Sequence, residues 1–446
     1  MKLTKEQIIS EVKNSTNPKV KVAIIDLDGV MRGKYLHKNK FLSILENGLA
    51  FCDVVFGWDI NDLAYEEMEF TGWHTGFPDA IATLDLNTYR KVPWDNDVPF
   101  FLGDFNNEIC PRNLLKKIKA ETNQLGFNPF FGQEFEWFNY KETSESIHEK
   151  NFNSPNHLTQ GMFGYSILRM SKNNDFLNEL YDYMYKFNVP IEGLHTETGP
   201  GVLEAAILYS DVLESADRAV LFKAGVKEIG MRHGIMPTFM AKVSEKLPGC
   251  SGHIHQSLRD DKNNVFYDEK SKTKMSPLME SYIAGILHCM PYVLPMFAPT
   301  INSYKRLVEG AWAPTTITWG IDNRTTCIRA LPSNASSTRL ELRVVGSDAN
   351  PYLAHAASLA SGLYGIKNKM KLEVEMTKGN GYRDLKNGVL PRNLWDSTEA
   401  MKNSSIAAEL FGDTFVKHYC ASREWEWKQH AKAVTDWEFK RYFEIV

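Results

Sequence analysis

The segment GQEFEWF (132–138) sets two carboxylates, Glu134 and Glu136, between aromatic residues. In an extended strand alternate side chains share a face, so both carboxylates point the same way. Like charges side by side repel, and taking them out of water is costly. Other acidic groups sit in comparable settings: Glu197 and Glu204 in HTETGPGVLEAAI (195–207), and Glu341 in STRLELRVVG (337–346). His253 and His255, in LPGCSGHIHQSL (247–258), are two apart and share a face if extended. Any one of these alone has an ordinary explanation as a structurally paired group. Five glutamates with one or two histidines need compensating positive charge, and hard divalent cations such as Mg²⁺ or Mn²⁺ supply it through oxygen and imidazole ligands. Six ligand groups suffice for two ions.

Basic residues accompany them. Lys305, Arg306, Arg324 and Arg329 fall within 302–330, and Arg339 and Arg343 flank Glu341. Guanidinium groups suit carboxylates and phosphates through paired hydrogen bonds, so the guest is anionic. Surface ion pairing explains Lys305 readily, but not Arg343 in an apolar strand. Metals and arginines together make phosphoryl transfer the natural chemistry. No GxxxxGK[ST] is present, which excludes a P-loop.

These groups need a scaffold. The opening KLTKEQIISEVKN reads as an amphipathic helix, and VKVAIIDLDG (20–29) as a strand ending in a turn. A short helix over 36–48 and a strand over 50–60 follow. Asp26 and Asp28 in DLDG resemble a phosphatase nucleophile loop, but the following chain lacks the matching context, so a turn is the better reading. A boundary falls near 103–112, with Pro111 opening the next helix. Beyond it, strands and helices are expected to alternate to the C-terminus. Residues 141–160 are a polar surface excursion, and 276–290 and 348–370 are long buried helices.

The bulk numbers exclude more than they assert. With 43% hydrophobic and 24% charged residues and a net charge of -4, nothing points to nucleic acid. The apolar run 282–299 is broken by three prolines, so no membrane span is expected. Six scattered cysteines without CxxC suit reduced thiols and a cytoplasmic location.

In order along the chain, GQEFEWF, ETGPGVLEAAI, FMAKVSEKLPGCSGHIHQSL, NSYKRLVEGAWAP, NRTTCIR and RLELRVVGSDANPYL resemble the motifs of the glutamine synthetase superfamily. The closing VTDWEFKRYFEIV resembles the family's end, so the likeness spans essentially the whole chain. The style is closer to the γ-glutamyl-polyamine and γ-glutamyl-alkylamide ligases than to the housekeeping enzyme. The resemblance implies an α+β fold: an N-terminal β-grasp domain over 1–105 and a catalytic domain with a curved antiparallel sheet over 106–446. It implies active sites between neighbouring subunits of a ring, in a dodecamer of two stacked hexamers. Motif by motif, Glu136, Glu197 and Glu204 match one metal site, and Glu134, His253 and Glu341 the other. Arg306, Arg343 and the backbone at Gly249 match the glutamate site; Arg324, Arg329 and Arg339 match the phosphate-side arginines. His255, Ser257 and Arg339 fall at the nucleotide. The family's chemistry phosphorylates the γ-carboxylate of glutamate with ATP, and an amine then displaces phosphate.

Two positions depart from the ammonium-using pattern. Trp312 in LVEGAWAP stands where a flap glutamate is expected, with Glu309 three residues earlier. Cys52 in NGLAFCDVVF stands where an aspartate is expected, with Asp53 next to it. Ammonium is strongly hydrated and needs anionic partners, whereas an indole suits a larger, less polar amine. The expectation is therefore a glutamate–amine ligase with Trp312 and Cys52 at the amine. Ammonium bound through Asp53 or Glu309 is the alternative, and a non-catalytic homologue the remote one.

Overall fold

The computed structural model describes residues 3–446. Its first helix, Lys5–Asn14, starts at a capping box in which Thr4 and Gln7 exchange hydrogen bonds. Six strands follow: β1 (Lys19–Ile25), β2 (Met31–His37), β3 (Leu49–Cys52), β4 (Asp79–Leu84), β5 (Arg90–Val92) and β6 (Val98–Phe105). They form one sheet in the order β2-β1-β6-β4-β3, with β5 also on β6. Only the β1–β6 pair is parallel.

The strand expected over 50–60 is shorter than the sequence suggests. It stops at Cys52, and Asp53–Phe56 turn into one 3₁₀ coil whose first N–H bonds Pro78 O at 3.0 Å. The DLDG segment is a turn, as expected. Asp26 accepts from the Asp28 and Val30 N–H groups and from Arg32 Nε, and Gly29 takes a φ of +80°.

A second sheet holds β7 (Asn128–Tyr140), β8 (Ile191–Thr196), β9 (Val202–Ile207), β10 (Ser210–Asp211), β11 (Met236–Thr238), β12 (Gly252–Arg259), β13 (Trp319–Ile321), β14 (Ile328–Leu331) and β15 (Arg339–Leu342). The order is β13-β14-β15-β12-β7-β9-β8, with β10 and β11 also pairing β7. Every pair except β13–β14 is antiparallel. The fold is therefore mixed α+β.

Strand β7 explains why its carboxylates face one way. Phe135 and Trp137 are buried against Phe222 of the helix Val212–Arg232, with centroids 6.1 and 5.5 Å apart. Glu134 and Glu136 must then occupy the other face. Helices Pro277–Val293 and Pro351–Lys367 are long and buried, as expected. They cross backbone to backbone: a Cβ on Gly285 would meet Ser361 O at 2.3 Å. Residues 141–160 are less irregular than expected, because Thr143 caps a short helix, Ser144–Glu149. The expected alternation also ends early. After β15 the described elements are helical, because the face of the sheet opposite the site is closed by helices packed on helices.

The two sheets are joined by buried polar contacts. Arg112 Nη1, Nη2 and Nε reach Asp104, Asp85 and Asp217 at 2.5, 2.8 and 2.9 Å. Asn350 donates to the carbonyls of Asp26 and Leu27, Arg423 pairs with Asp28 at 2.6 Å, and His418 bonds Phe56 O. No helix among the described residues is long and apolar enough to cross a membrane.

Candidate functional site

Two rows of titratable groups cross the second sheet on the face opposite Phe135 and Trp137. In one, His195 of β8 lies opposite Glu204 of β9, which lies opposite Glu136 of β7. In the other, His255 of β12 lies opposite Glu341 of β15, which lies opposite Arg329 of β14. Glu134 and His253 pair across β7 and β12 between them. Strand register alone thus gathers residues more than two hundred positions apart in sequence.

These groups line a cavity of about 750 Å³. Glu197 reaches it from the tight turn after β8, where Gly199 and Gly201 take φ values of +138° and +74°. The same cavity is lined by Gly249, Arg306, Trp312, Arg324, Arg329, Arg339 and Arg343. A second cavity of about 360 Å³ adjoins it, sharing Glu134, His255 and Arg339 and adding Ser257. Lys305, Asp53 and Glu309, also singled out in the sequence, line neither cavity, and nor does Cys52. Cys52 ends β3, with its thiol 3.3 Å from Phe77 O.

The contacts are close. His253 Nδ1 is 3.4 Å from Glu134 and 3.2 Å from Glu341, and His255 Nε2 is 3.5 Å from Glu134. Arg329 donates to Glu341 at 2.8 Å, and Arg343 engages the other Glu341 oxygen. Burial would raise the Glu341 carboxyl, but His253, His255 and Arg343 hold it down at about 2. Glu204 goes the other way: burial, with Glu134 and Glu136 beside it, pushes it up to about 8 despite His195. Arg306 is buried and fixed, donating to Val344 O at 2.9 Å and Arg343 O at 3.0 Å.

The donor set fits hard divalent cations. Glu134, His255 and Glu341 each offer a ligand atom, all within 4.8 Å of one another, and so do His195, Glu197 and Glu204. Glu204, crowded by Glu134 and Glu136, is a carboxylate that a cation would relieve. Burial lowers the His253 pKa and favours its neutral, ligating form, and its buried Nε2 has no hydrogen-bond partner.

The structure also adds residues that the sequence reading left aside. His195 Nε2 lies 3.3 Å from Glu204 and Nδ1 lies 3.8 Å from Glu197. Its signal was available, since it sits two residues before Glu197, as His253 sits before His255. Tyr165 stacks on His195 at 4.4 Å and comes from the loop just beyond the polar excursion 141–160, where no periodicity marks it.

Comparison with known proteins agrees with this chemistry. Residues 108–442 match the family description "Glutamine synthetase, catalytic domain". The chain is 51% identical to the type-1 glutamine synthetase 2 of Dictyostelium discoideum, over 98% of this chain and 86% of that protein. It is 36% identical to a glutamate–isopropylamine ligase of a Pseudomonas species, over 96% and 95% of the two chains. A solved GmaS–ADP complex superposes with a TM-score of 0.85 at 26% identity, covering 98% of this chain and 99% of the other.

Proposed function

The chain belongs to the glutamine synthetase family of ATP-dependent carbon–nitrogen ligases, and from that premise we propose that it joins the γ-carboxylate of glutamate to an organic amine. One observation carries the choice of acceptor. Trp312 lines the cavity, whereas Glu309, the nearest flap carboxylate, is outside its lining and 3.7 Å from Arg383. An ammonium ion stripped of water needs a carboxylate there, and an alkyl or aryl amine needs an apolar surface. The relative named as an isopropylamine ligase supports the reading. Ammonium remains the second reading, because the 51% relative is named a glutamine synthetase.

We assign Glu136, Glu197 and Glu204 to one cation, and Glu134, His253 and Glu341 to the other, with Mg²⁺ or Mn²⁺ as the ion. When bound, these cations would neutralise and orient the phosphates of ATP. Arg306, Arg343 and the backbone at Gly249 would hold glutamate. Arg324, Arg329 and Arg339 would face the transferred phosphoryl group, with His255 and Ser257 toward the nucleotide. A γ-carboxylate oxygen attacks the terminal phosphorus and ADP leaves. The amine nitrogen then attacks the acyl carbon, phosphate departs, and the nitrogen gives up a proton.

The six-stranded sheet is read as a β-grasp domain over 1–105, ahead of a catalytic domain over 106–446. In a ring, proposed as a dodecamer of two stacked hexamers, Cys52 would complete the amine pocket of a neighbouring copy. The test is ATP-dependent phosphate release with glutamate across ammonium, methylamine, isopropylamine, putrescine and aniline. Preference for an organic amine is expected. Fast turnover with ammonium alone would sink the proposal.

A further inference from the structure

Two large aromatic residues of the cavity share an unusual backbone state. Tyr165 has a φ of +55° and Trp312 a φ of +57°, in the left-handed region that bulky residues seldom occupy. Both are mostly exposed, 71% and 61%, so core packing does not account for either. Each is nevertheless held in place. The Tyr165 N–H donates to Thr196 O at 2.7 Å, and the next residue, Ser166, donates through its N–H to Thr196 Oγ at 2.8 Å. This ties Tyr165 to the strand end that presents Glu197. Its ring stacks on His195 at 4.4 Å. The Trp312 carbonyl accepts from Arg343 Nη2 at 3.5 Å, which ties the flap to the arginine cluster. Strained residues persist where the surroundings fix them, and they gather at ligand sites.

We propose that Tyr165 and Trp312 are the two walls of the acceptor site, and that the acceptor is a monoamine with an uncharged, compact alkyl or aryl substituent. This rests on the amine-ligase reading and narrows it. Aromatic faces receive an apolar group or an alkylammonium carbon well. A polyamine would bring a second ammonium needing its own carboxylate. The cavity's five carboxylates are Glu134, Glu136, Glu197, Glu204 and Glu341, all assigned to cations, and Glu341 is already engaged by Arg329 and Arg343. Five arginines also line the cavity and repel a second cation.

The experiment compares butylamine with putrescine, its analogue bearing a second amine, and measures isopropylamine kinetics in Tyr165→Ser, Tyr165→Phe and Trp312→Ala. Hydroxylamine, a small nucleophile with no substituent for the walls to grip, reports on the acyl phosphate independently. Butylamine is expected to exceed putrescine at least tenfold in kcat/KM. Tyr165→Ser and Trp312→Ala are each expected to raise the isopropylamine KM about tenfold, equivalent to about 1.4 kcal/mol. The glutamate KM should rise less than the isopropylamine KM, and hydroxamate formation should fall less than isopropylamide formation. Tyr165→Phe, which keeps the ring, should match the parent. Putrescine at or above butylamine overturns the acceptor class. Equal effects on glutamate and isopropylamine, or a Phe variant as impaired as the Ser variant, overturn the walls. Turnover with ammonium but no organic amine overturns the ligase reading and this inference together.

Discussion

Gly249 is packed so tightly that one methyl group should disturb glutamate binding. A Cβ built there would lie 2.7 Å from Ala241 O and 2.7 Å from Arg306 Cγ, with Arg306 Cβ at 3.1 Å. Neither neighbour can yield freely. Ala241 O accepts the Cys250 N–H at 2.9 Å, and Arg306 is buried with its guanidinium on Val344 O and Arg343 O. Ordinary contact begins near 3.4 Å, so Gly249→Ala forces a displacement of about 0.7 Å. Overpacking of this kind costs about 1–3 kcal/mol of stability. A shift approaching 1 Å in substrate-holding groups costs on the order of a hundredfold in rate. The expected loss is therefore about tenfold to a hundredfold in kcat/KM for glutamate, about 1.4–2.7 kcal/mol. Phosphate release would be followed with glutamate varied at saturating ATP and isopropylamine, and ADP binding measured by calorimetry. The pocket holding Ser257 does not include Gly249, so ADP affinity should hold within about twofold. A folded variant with parental glutamate kinetics would refute the argument that Gly249 backs Arg306.

Three further outcomes are expected. Burial pushes His418 down to about 4 although its imidazole bonds Phe56 O. Its unfolded value is about 6.5, so the neutral form contributes stability that is full above about pH 6.5 and is lost as pH falls toward 4, about 3 kcal/mol in all. Denaturation midpoints between pH 4 and 7.5 should fall less steeply in His418→Gln than in the parent, and identical slopes would contradict this. Mg²⁺ or Mn²⁺ at about a hundred times its dissociation constant should stabilise the protein by about 2.7 kcal/mol, reversed by chelation and weakened in Glu204→Gln. Thermal melts that ignore both metal and chelator would argue against the cation site. Arg112→Met leaves buried Asp217 without a cationic partner, bonded only by the Tyr352 hydroxyl, while Asp104 keeps Lys116 at 2.6 Å, and should cost about 3–5 kcal/mol, read as a lowered melting temperature. Adding Asp217→Asn should recover part of that loss, and no recovery would mean the Asp217 carboxylate is not the cause.

The site was largely legible because it is written in strand alternation. GQEFEWF, GHIHQ and RLELR each place charged groups two residues apart, and two-residue periodicity survives folding unchanged. What alternation does not encode is which strands are neighbours. That His195 faces Glu204, and that Arg329 faces Glu341, depends on the order of strands in the sheet. Tyr165 was invisible for a different reason: it is fixed by a loop contact to Thr196 O, and loops carry no period. The overlong strand at 50–60 arose because Val54, Val55 and Phe56 favour extension, while the bond from Asp53 N–H to Pro78 O curls the chain locally.

The joint between the two sheets also has a consequence for the order in which the molecule is assembled. Arg423 contacts Asp28 across 395 positions, His418 contacts Phe56 across 362, and Asn350 reaches Asp26 across 324. At a synthesis rate of about 5–20 residues per second, the partner of Asp28 emerges roughly 20–80 seconds after it. The first sheet must therefore wait, with the DLDG turn and the Phe56 carbonyl uncovered, while the residues of the metal and arginine cluster are made and can pair. Docking of the late helix Asp413–Lys432 closes the seam last. Premature chain termination before that helix should yield a product whose first sheet is held by the Arg112 and Asn350 contacts alone, leaving Asp28 and the Phe56 carbonyl open and the seam more accessible to proteases and chaperones.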